Sequence, residues 1–150
     1  SVANARLHGA EFVVITGGEP LHHNLNPLCN KIREITTTKE NKPIPIHLET
    51  SGVDQISGNP NWITLSPKKH APPCIQLIKA CQELKVVIHE KDDLAFAEKI
   101  ANKTRKFKRP LFFLQPGWNN ETGRKLAYEY VKSNPKWRLS MQTHKWLKVL

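Results

Sequence analysis

The sequence predicts an α/β fold built on a parallel sheet. Apolar runs of strand length recur along the chain, segments of helical periodicity separate them, and polar or glycine-bearing stretches follow directly on the runs. A partial parallel barrel and a doubly wound open sheet both satisfy this order. The length of 150 residues suits one domain over residues 1–150, since a fold of this size removes roughly 68–70% of its unfolded surface from water. Hydrophobic residues at 39% supply the core.

Residues 11–15 read as the first buried strand and lead into Thr16-Gly17-Gly18-Glu19-Pro20. Asn26 is expected to cap a helix with Pro27 at its first position, with Leu28, Ile32 and Ile35 as the inner stripe and an end before Pro43. Residues 44–48 form the second strand, with Pro45 at its start, and run into Glu49-Thr50-Ser51-Gly52. Residues 62–65 form the third, stopped by Ser66-Pro67-Lys68. A short helix over 75–84 turns Cys74, Ile78 and Cys81 to one side. Residues 84–88 form the fourth strand, and Asp92 or Asp93 caps a helix carrying Leu94, Ala97, Ile100, Ala101 and Thr104 inward. Residues 111–114 are a fifth strand ending at Gln115-Pro116. A helix over 122–133 uses Leu126, Ala127, Tyr130 and Val131, and residues 138–142 close as a final strand before Thr143-His144-Lys145-Trp146.

The chain carries 23 Lys+Arg against 13 Asp+Glu, a net charge of +10. Such a charge suits phosphates and equally a small anionic substrate. The densest basic run, residues 103–109, closes a helix, where cations also favour the helix dipole. The longest apolar run, Leu111-Phe112-Phe113-Leu114, falls far short of the ~20 residues that span a bilayer, so no membrane role is expected. Cys29, Cys74 and Cys81 are odd in number and match no disulfide, zinc or iron–sulfur spacing, which points to core cysteines in a reducing, cytoplasmic compartment. His22-His23 lacks a carboxylate or cysteine at ligand spacing, so no metal site is assigned there.

The polar segments at 16–20, 49–52, 66–68, 115–116 and 142–144 each follow a strand end. In a parallel barrel those ends open on one face, where active sites are built. A glycine pair after a strand lets backbone approach a ligand closely, and Glu19 adds a carboxylate. A plain turn has the same composition. The Gly17-Gly18 pair matches neither a Walker phosphate loop nor the spaced glycines of a dinucleotide fingerprint.

Val14-Ile15-Thr16-Gly17-Gly18-Glu19-Pro20 resembles the second-strand motif of radical S-adenosylmethionine enzymes. Glu49-Thr50-Ser51-Gly52, residues 62–68 and 83–87, Leu114-Gln115-Pro116 and, most specifically, residues 137–146 resemble the 7-carboxy-7-deazaguanine synthase family, in order and over nearly the whole chain. The resemblance implies a partial (β/α)6-type TIM barrel that binds S-adenosylmethionine and a four-iron four-sulfur cluster, with Mg2+ as a further family ligand. The implied lyase reaction converts 6-carboxy-5,6,7,8-tetrahydropterin to 7-carboxy-7-deazaguanine with loss of ammonia, on the route to queuosine and other 7-deazapurines. By carry-over, Gly17, Gly18 and Glu19 hold the methionyl amino group, while Glu49, Ser51, Ser66, Lys68 and Gln115 surround the cofactor's ribose and carboxylate. Thr16, Gln142 and His144 face the pterin. A flavodoxin or ferredoxin electron donor and a homodimer are implied partners, without direct nucleic-acid binding.

One departure is plain. The family's CxxxCxxC-type cluster motif precedes the Gly-Gly-Glu-Pro turn, and no cysteine precedes Thr16 in this chain. The chain, which opens on Ser1 rather than Met, is therefore expected to be the downstream part of such an enzyme, lacking its first βα unit and inactive alone. A glycyl-radical activating enzyme is a second reading, which Gln142-Thr143-His144 disfavours. A third is a basic RNA-binding domain with Trp118, Trp137 and Trp146 as stacking surfaces.

Overall fold

The computed structural model of the protein describes residues 1–36 and 42–147, without the side chains of His144 and Trp146. Six strands, β1 (Val13–Ile15), β2 (Ile46–Thr50), β3 (Trp62–Leu65), β4 (Glu83–Ile88), β5 (Leu111–Pro116) and β6 (Trp137–Leu139), form one sheet in sequential order. All neighbouring pairs are parallel. A doubly wound sheet reverses its strand order at a switch point, and this sheet does not. Among the described residues β1 and β6 do not pair, so the sheet is open.

The two faces of the sheet differ in chemistry. Ile46, Leu48, Ile63, Leu65, Leu84, Val86, Ile88 and Leu114 are all under 5% exposed and form the core with side chains from the helices. The helices are α1 (Val2–Leu7), α2 (Asn26–Thr36), α3 (Ile75–Ala80), α4 (Lys91–Arg105), α5 (Glu121–Ser133) and α6 (Thr143–Leu147). Cys29 and Ile32 of α2, Leu77 and Ile78 of α3, Ala97, Ile100 and Ala101 of α4, and Ala127 of α5 complete the packing. Because side chains alternate along a strand, the register puts Val14, His47, Glu49, Thr64, Glu83, Lys85 and Gln115 on the opposite face. That face is polar.

Several boundaries differ from the sequence reading. The buried stripe of α2 is Cys29, Ile32 and Thr36, while Leu28 and Ile35 are 48% and 43% exposed. Asn26 does not cap α2: its side-chain oxygen accepts the Gly58 N–H at 2.8 Å, and the Leu25 carbonyl takes the Cys29 N–H. Helix α4 begins after Glu90, and Asp93 closes its first turn by accepting the Glu90 and His89 N–H groups at 2.9 and 2.8 Å. Helix α3 stops at Ala80, because Glu83 and Leu84 already pair in β4. The final strand is shorter than expected, and Thr143–Leu147 is helical. The expected end of α2 before Pro43 lies outside the described residues. Trp137 is 1% exposed, packed on Phe112 with ring centroids 5.2 Å apart, so it is a core residue and no stacking surface.

Candidate functional site

The strand exits converge. A cavity of about 790 Å³ is lined by Thr16, Gly17, Gly18, Glu49, Ser51, Ser66, Lys68, Gln115 and Gln142. These come from the ends of five different strands, as expected where consecutive parallel strands all deliver their C-terminal ends to one side. Gly17 adopts φ +135°, a backbone conformation that favours glycine, and open space lies where its Cβ would be. The loop thus presents bare backbone to the cavity.

Glu19 is not among the lining residues. Its Oε1 accepts the Leu21 N–H at 3.1 Å and the Thr50 hydroxyl at 2.5 Å, and its Oε2 accepts the Ser51 N–H at 2.7 Å together with the Ser51 hydroxyl. Burial pushes the carboxyl upward, but the bonds from Ser51, Thr50 and Leu21 outweigh it and hold Glu19 below the usual carboxylate range. The side chain ties the β1 exit to the β2 exit. Gly52, at φ +83°, lets the same loop turn against Leu65, Pro73 and Leu77.

Lys68 reaches the cavity from a loop that its neighbour anchors. Lys69 Nζ lies 2.7 Å from both Glu90 and Asp93 at the start of α4, and the Lys68–Ala71 bridge tightens the turn. Gln115 sits 9% exposed on β5, and Gln142 lies beyond the end of β6. A smaller hollow of about 50 Å³ opens beside Gln142, between Trp118, Asn119, Asn120 and Arg124. The position of the His144 side chain lies outside the described residues.

Sequence reasoning missed the centre of the cavity floor. Glu83, Lys85 and Val87 also line it. Lys85 Nζ is 2.9 Å from Glu49 Oε1, and the lysine side chain is only 14% exposed. Burial raises the Glu83 carboxyl, the Lys85 charge opposes that rise, Glu49 adds to it, and bonds from Trp62 and Thr64 oppose it again. The signal was the alternation Glu83-Leu84-Lys85-Val86-Val87, whose odd positions share one face.

The described residues do not fit an iron–sulfur cluster. No group of three or more His, Cys, Asp or Glu gathers among them. Cys29 and Cys81 are buried in the core, and burial lifts the Cys81 thiol to about 11, the reverse of a thiolate ligand. Nor does a group of three or more such side chains gather for Mg2+ among the described residues. The cavity does fit an amino-acid nucleoside: exposed backbone at Gly17 and Gly18, hydroxyls at Ser51 and Ser66, and a cation at Lys68. Among the described residues no helix is long and apolar enough to cross a membrane.

No family model matches the chain. A 7-carboxy-7-deazaguanine synthase from Prochlorococcus marinus is 55% identical to it over 162 aligned residues, which cover 99% of this chain and 72% of that protein. The chain belongs to the 7-carboxy-7-deazaguanine synthase family. The 7-carboxy-7-deazaguanine synthase of a Synechocystis species is 43% identical, over 92% of this chain and 62% of its own length. The crystal structure of QueE from Escherichia coli matches with a TM-score of 0.74 at 29% identity, over 94% of this chain and 60% of that one. The chain therefore spans between 60% and 72% of the length of these 7-carboxy-7-deazaguanine synthases.

Proposed function

We propose that this chain carries the cofactor and substrate cavity of a radical S-adenosylmethionine lyase, converting 6-carboxy-5,6,7,8-tetrahydropterin to 7-carboxy-7-deazaguanine and ammonia. The observation that carries the reading is the gathering of Thr16, Gly17, Gly18, Ser51, Ser66, Lys68, Gln115 and Gln142 on one cavity, in a chain 55% identical to a synthase of that name. The sequential parallel sheet is on this reading an open barrel, with the cavity at its mouth.

Each residue has a task its chemistry suits. The Gly17 and Gly18 backbone receives the methionyl end of S-adenosylmethionine, and Lys68 pairs with its carboxylate. Ser51, Ser66 and Gln115 bond the ribose and its surroundings. Glu19 acts one step back, fixing Ser51 through the bonds described above. Thr16 and Gln142 bond the polar edges of the pterin, and the reading assigns His144 to the same ligand. When bound, S-adenosylmethionine supplies the hydrogen-abstraction chemistry; the chain's own residues bind, orient and exclude water.

The cluster ligands come from outside this chain on our reading, so the chain alone is inactive. The working enzyme is a cytoplasmic homodimer that takes electrons from a flavodoxin or ferredoxin.

The test is a chimera in which this chain replaces the matching part of the Prochlorococcus relative. Reconstituted with iron and sulfide and reduced, it is expected to convert the tetrahydropterin to the deazaguanine with release of ammonia. A chimera that holds a cluster and cleaves S-adenosylmethionine yet forms no deazaguanine overturns the substrate assignment.

A further inference from the structure

Lys85 has no task in the roles given above, yet it is the most enclosed cation at the cavity. Its side chain is 14% exposed, and its ammonium lies 2.9 Å from Glu49 Oε1. Glu49, Thr64 and Glu83 stand in register on β2, β3 and β4, an acid–hydroxyl–acid row whose two acids line the cavity. Two carboxyls therefore flank one lysine. The Lys85 charge acts on Glu83 as well, and Trp62 and Thr64 give Glu83 side-chain hydrogen bonds, but the hydrogen bond of the Lys85 ammonium goes to Glu49.

The other oxygen of Glu49 tells which ligand this pair serves. Oε2 receives the Thr16 hydroxyl at 3.4 Å, and Thr16 is the residue assigned above to the heterocyclic substrate. Ser51, Ser66 and Lys68, assigned to the cofactor, have no bond to this pair. A carboxylate held at one oxygen by an enclosed ammonium keeps the other in a fixed direction, and charge-assisted bonds are the strong ones. We infer that Lys85 is a positioning residue for substrate recognition: by holding Glu49 Oε1 it directs Oε2, beside Thr16, at the N–H groups of the nitrogen heterocycle. The inference rests on the function proposed above and moves Glu49 from the cofactor's surroundings to the substrate's.

The test uses two probes on the protein carrying this chain: 6-carboxypterin, followed by its fluorescence, and S-adenosylhomocysteine, followed by calorimetry. Lys85→Met keeps the length of the stem and removes the charge. It is expected to weaken 6-carboxypterin about tenfold, the loss of one charge-assisted bond, and to leave S-adenosylhomocysteine unchanged within experimental scatter. Lys85→Arg restores most of the loss. Lys85→Met combined with Glu49→Gln binds 6-carboxypterin no more weakly than Glu49→Gln alone, since both remove one coupled unit.

Unchanged 6-carboxypterin binding in Lys85→Met overturns the inference. So does an equal loss for both probes, which marks a merely structural role, or full additivity in the double variant. If Lys85→Met does not fold, Lys85→Gln carries the same comparison. A wild-type protein that binds S-adenosylhomocysteine but not 6-carboxypterin also overturns it. Failure to bind either probe refutes the proposed function itself.

Discussion

Glu19 and Ser51, from the exits of β1 and β2, are joined twice: Glu19 Oε2 accepts the Ser51 N–H at 2.7 Å and the Ser51 hydroxyl as well. The carboxylate faces the loop that follows β2, so what reaches the cavity from this stretch is the glycine backbone and the serine it fixes.

Glu19→Gln places an amide among donors that need an acceptor and is expected to cost about 2 kcal/mol at neutral pH. The fold holds the Glu19 carboxyl below its usual range, so this contribution is present above the unfolded-state value and is lost as pH falls through the folded one. Urea denaturation of both proteins at neutral and acidic pH measures it. The gap should close on acidification; a gap that widens contradicts the assignment.

Two glycines of the site should respond in opposite ways to alanine. A Cβ at Gly52 would stand 2.5 Å from Leu65 Cδ1 and 2.9 Å from Pro73 Cβ, at φ +83°. Gly52→Ala is expected to destabilise by about 2 kcal/mol or more. Gly18 has nothing within 4 Å of its virtual Cβ, so Gly18→Ala should melt like the wild type while binding S-adenosylhomocysteine more weakly. Thermal melts and calorimetry on the same samples separate the two effects.

Lys68→Met distinguishes the two ends of the cofactor. The affinity for S-adenosylhomocysteine should drop about tenfold, as for one lost charge-assisted contact. That for 5′-methylthioadenosine, which lacks the amino-acid carboxylate, should not change. Equal losses for both would place Lys68 elsewhere than at the carboxylate.

Glu98 is the hub of the α4–α5–β6 corner, accepting from Tyr130 at 2.8 Å, Trp137 Nε1 at 2.8 Å and Lys136 at 2.6 Å. Glu98→Ala strands the buried indole N–H and should cost about 2 kcal/mol by urea denaturation. Burial and the bond to Glu98 push the Tyr130 hydroxyl up to about 12. In the variant, ultraviolet titration should show that tyrosine ionising at lower pH.

The strands were legible because short apolar runs bounded by turn residues leave little else to form. Where a helix face was misread, the cause is specific. Leu28-Ile32-Ile35 and Cys29-Ile32-Thr36 both have helical spacing, and the choice was made by the chain around Gly58, which packs on Cys29. Thr36 is tolerated in the core because its hydroxyl returns to the Ile32 carbonyl at 2.6 Å.

The residues that line the cavity from strand exits were legible for the same reason that exits are: a polar segment interrupts an apolar run. Lys85 and Glu83 were not, because Lys85 lies inside a run and Glu83 at its edge, and only the face set by the register with β3 and β5 reveals them. The inward turn of Glu19 depends on the dihedrals of the Gly17 loop, which composition does not encode.

The most direct measurement is a crystal structure of the protein carrying this chain grown with S-adenosylhomocysteine. The account requires the amino-acid end against Gly17, Gly18 and Lys68 and the ribose beside Ser51 and Ser66, with Lys85 still on Glu49. A ligand seated instead in the small hollow between Trp118 and Arg124, with the large cavity empty, would contradict it.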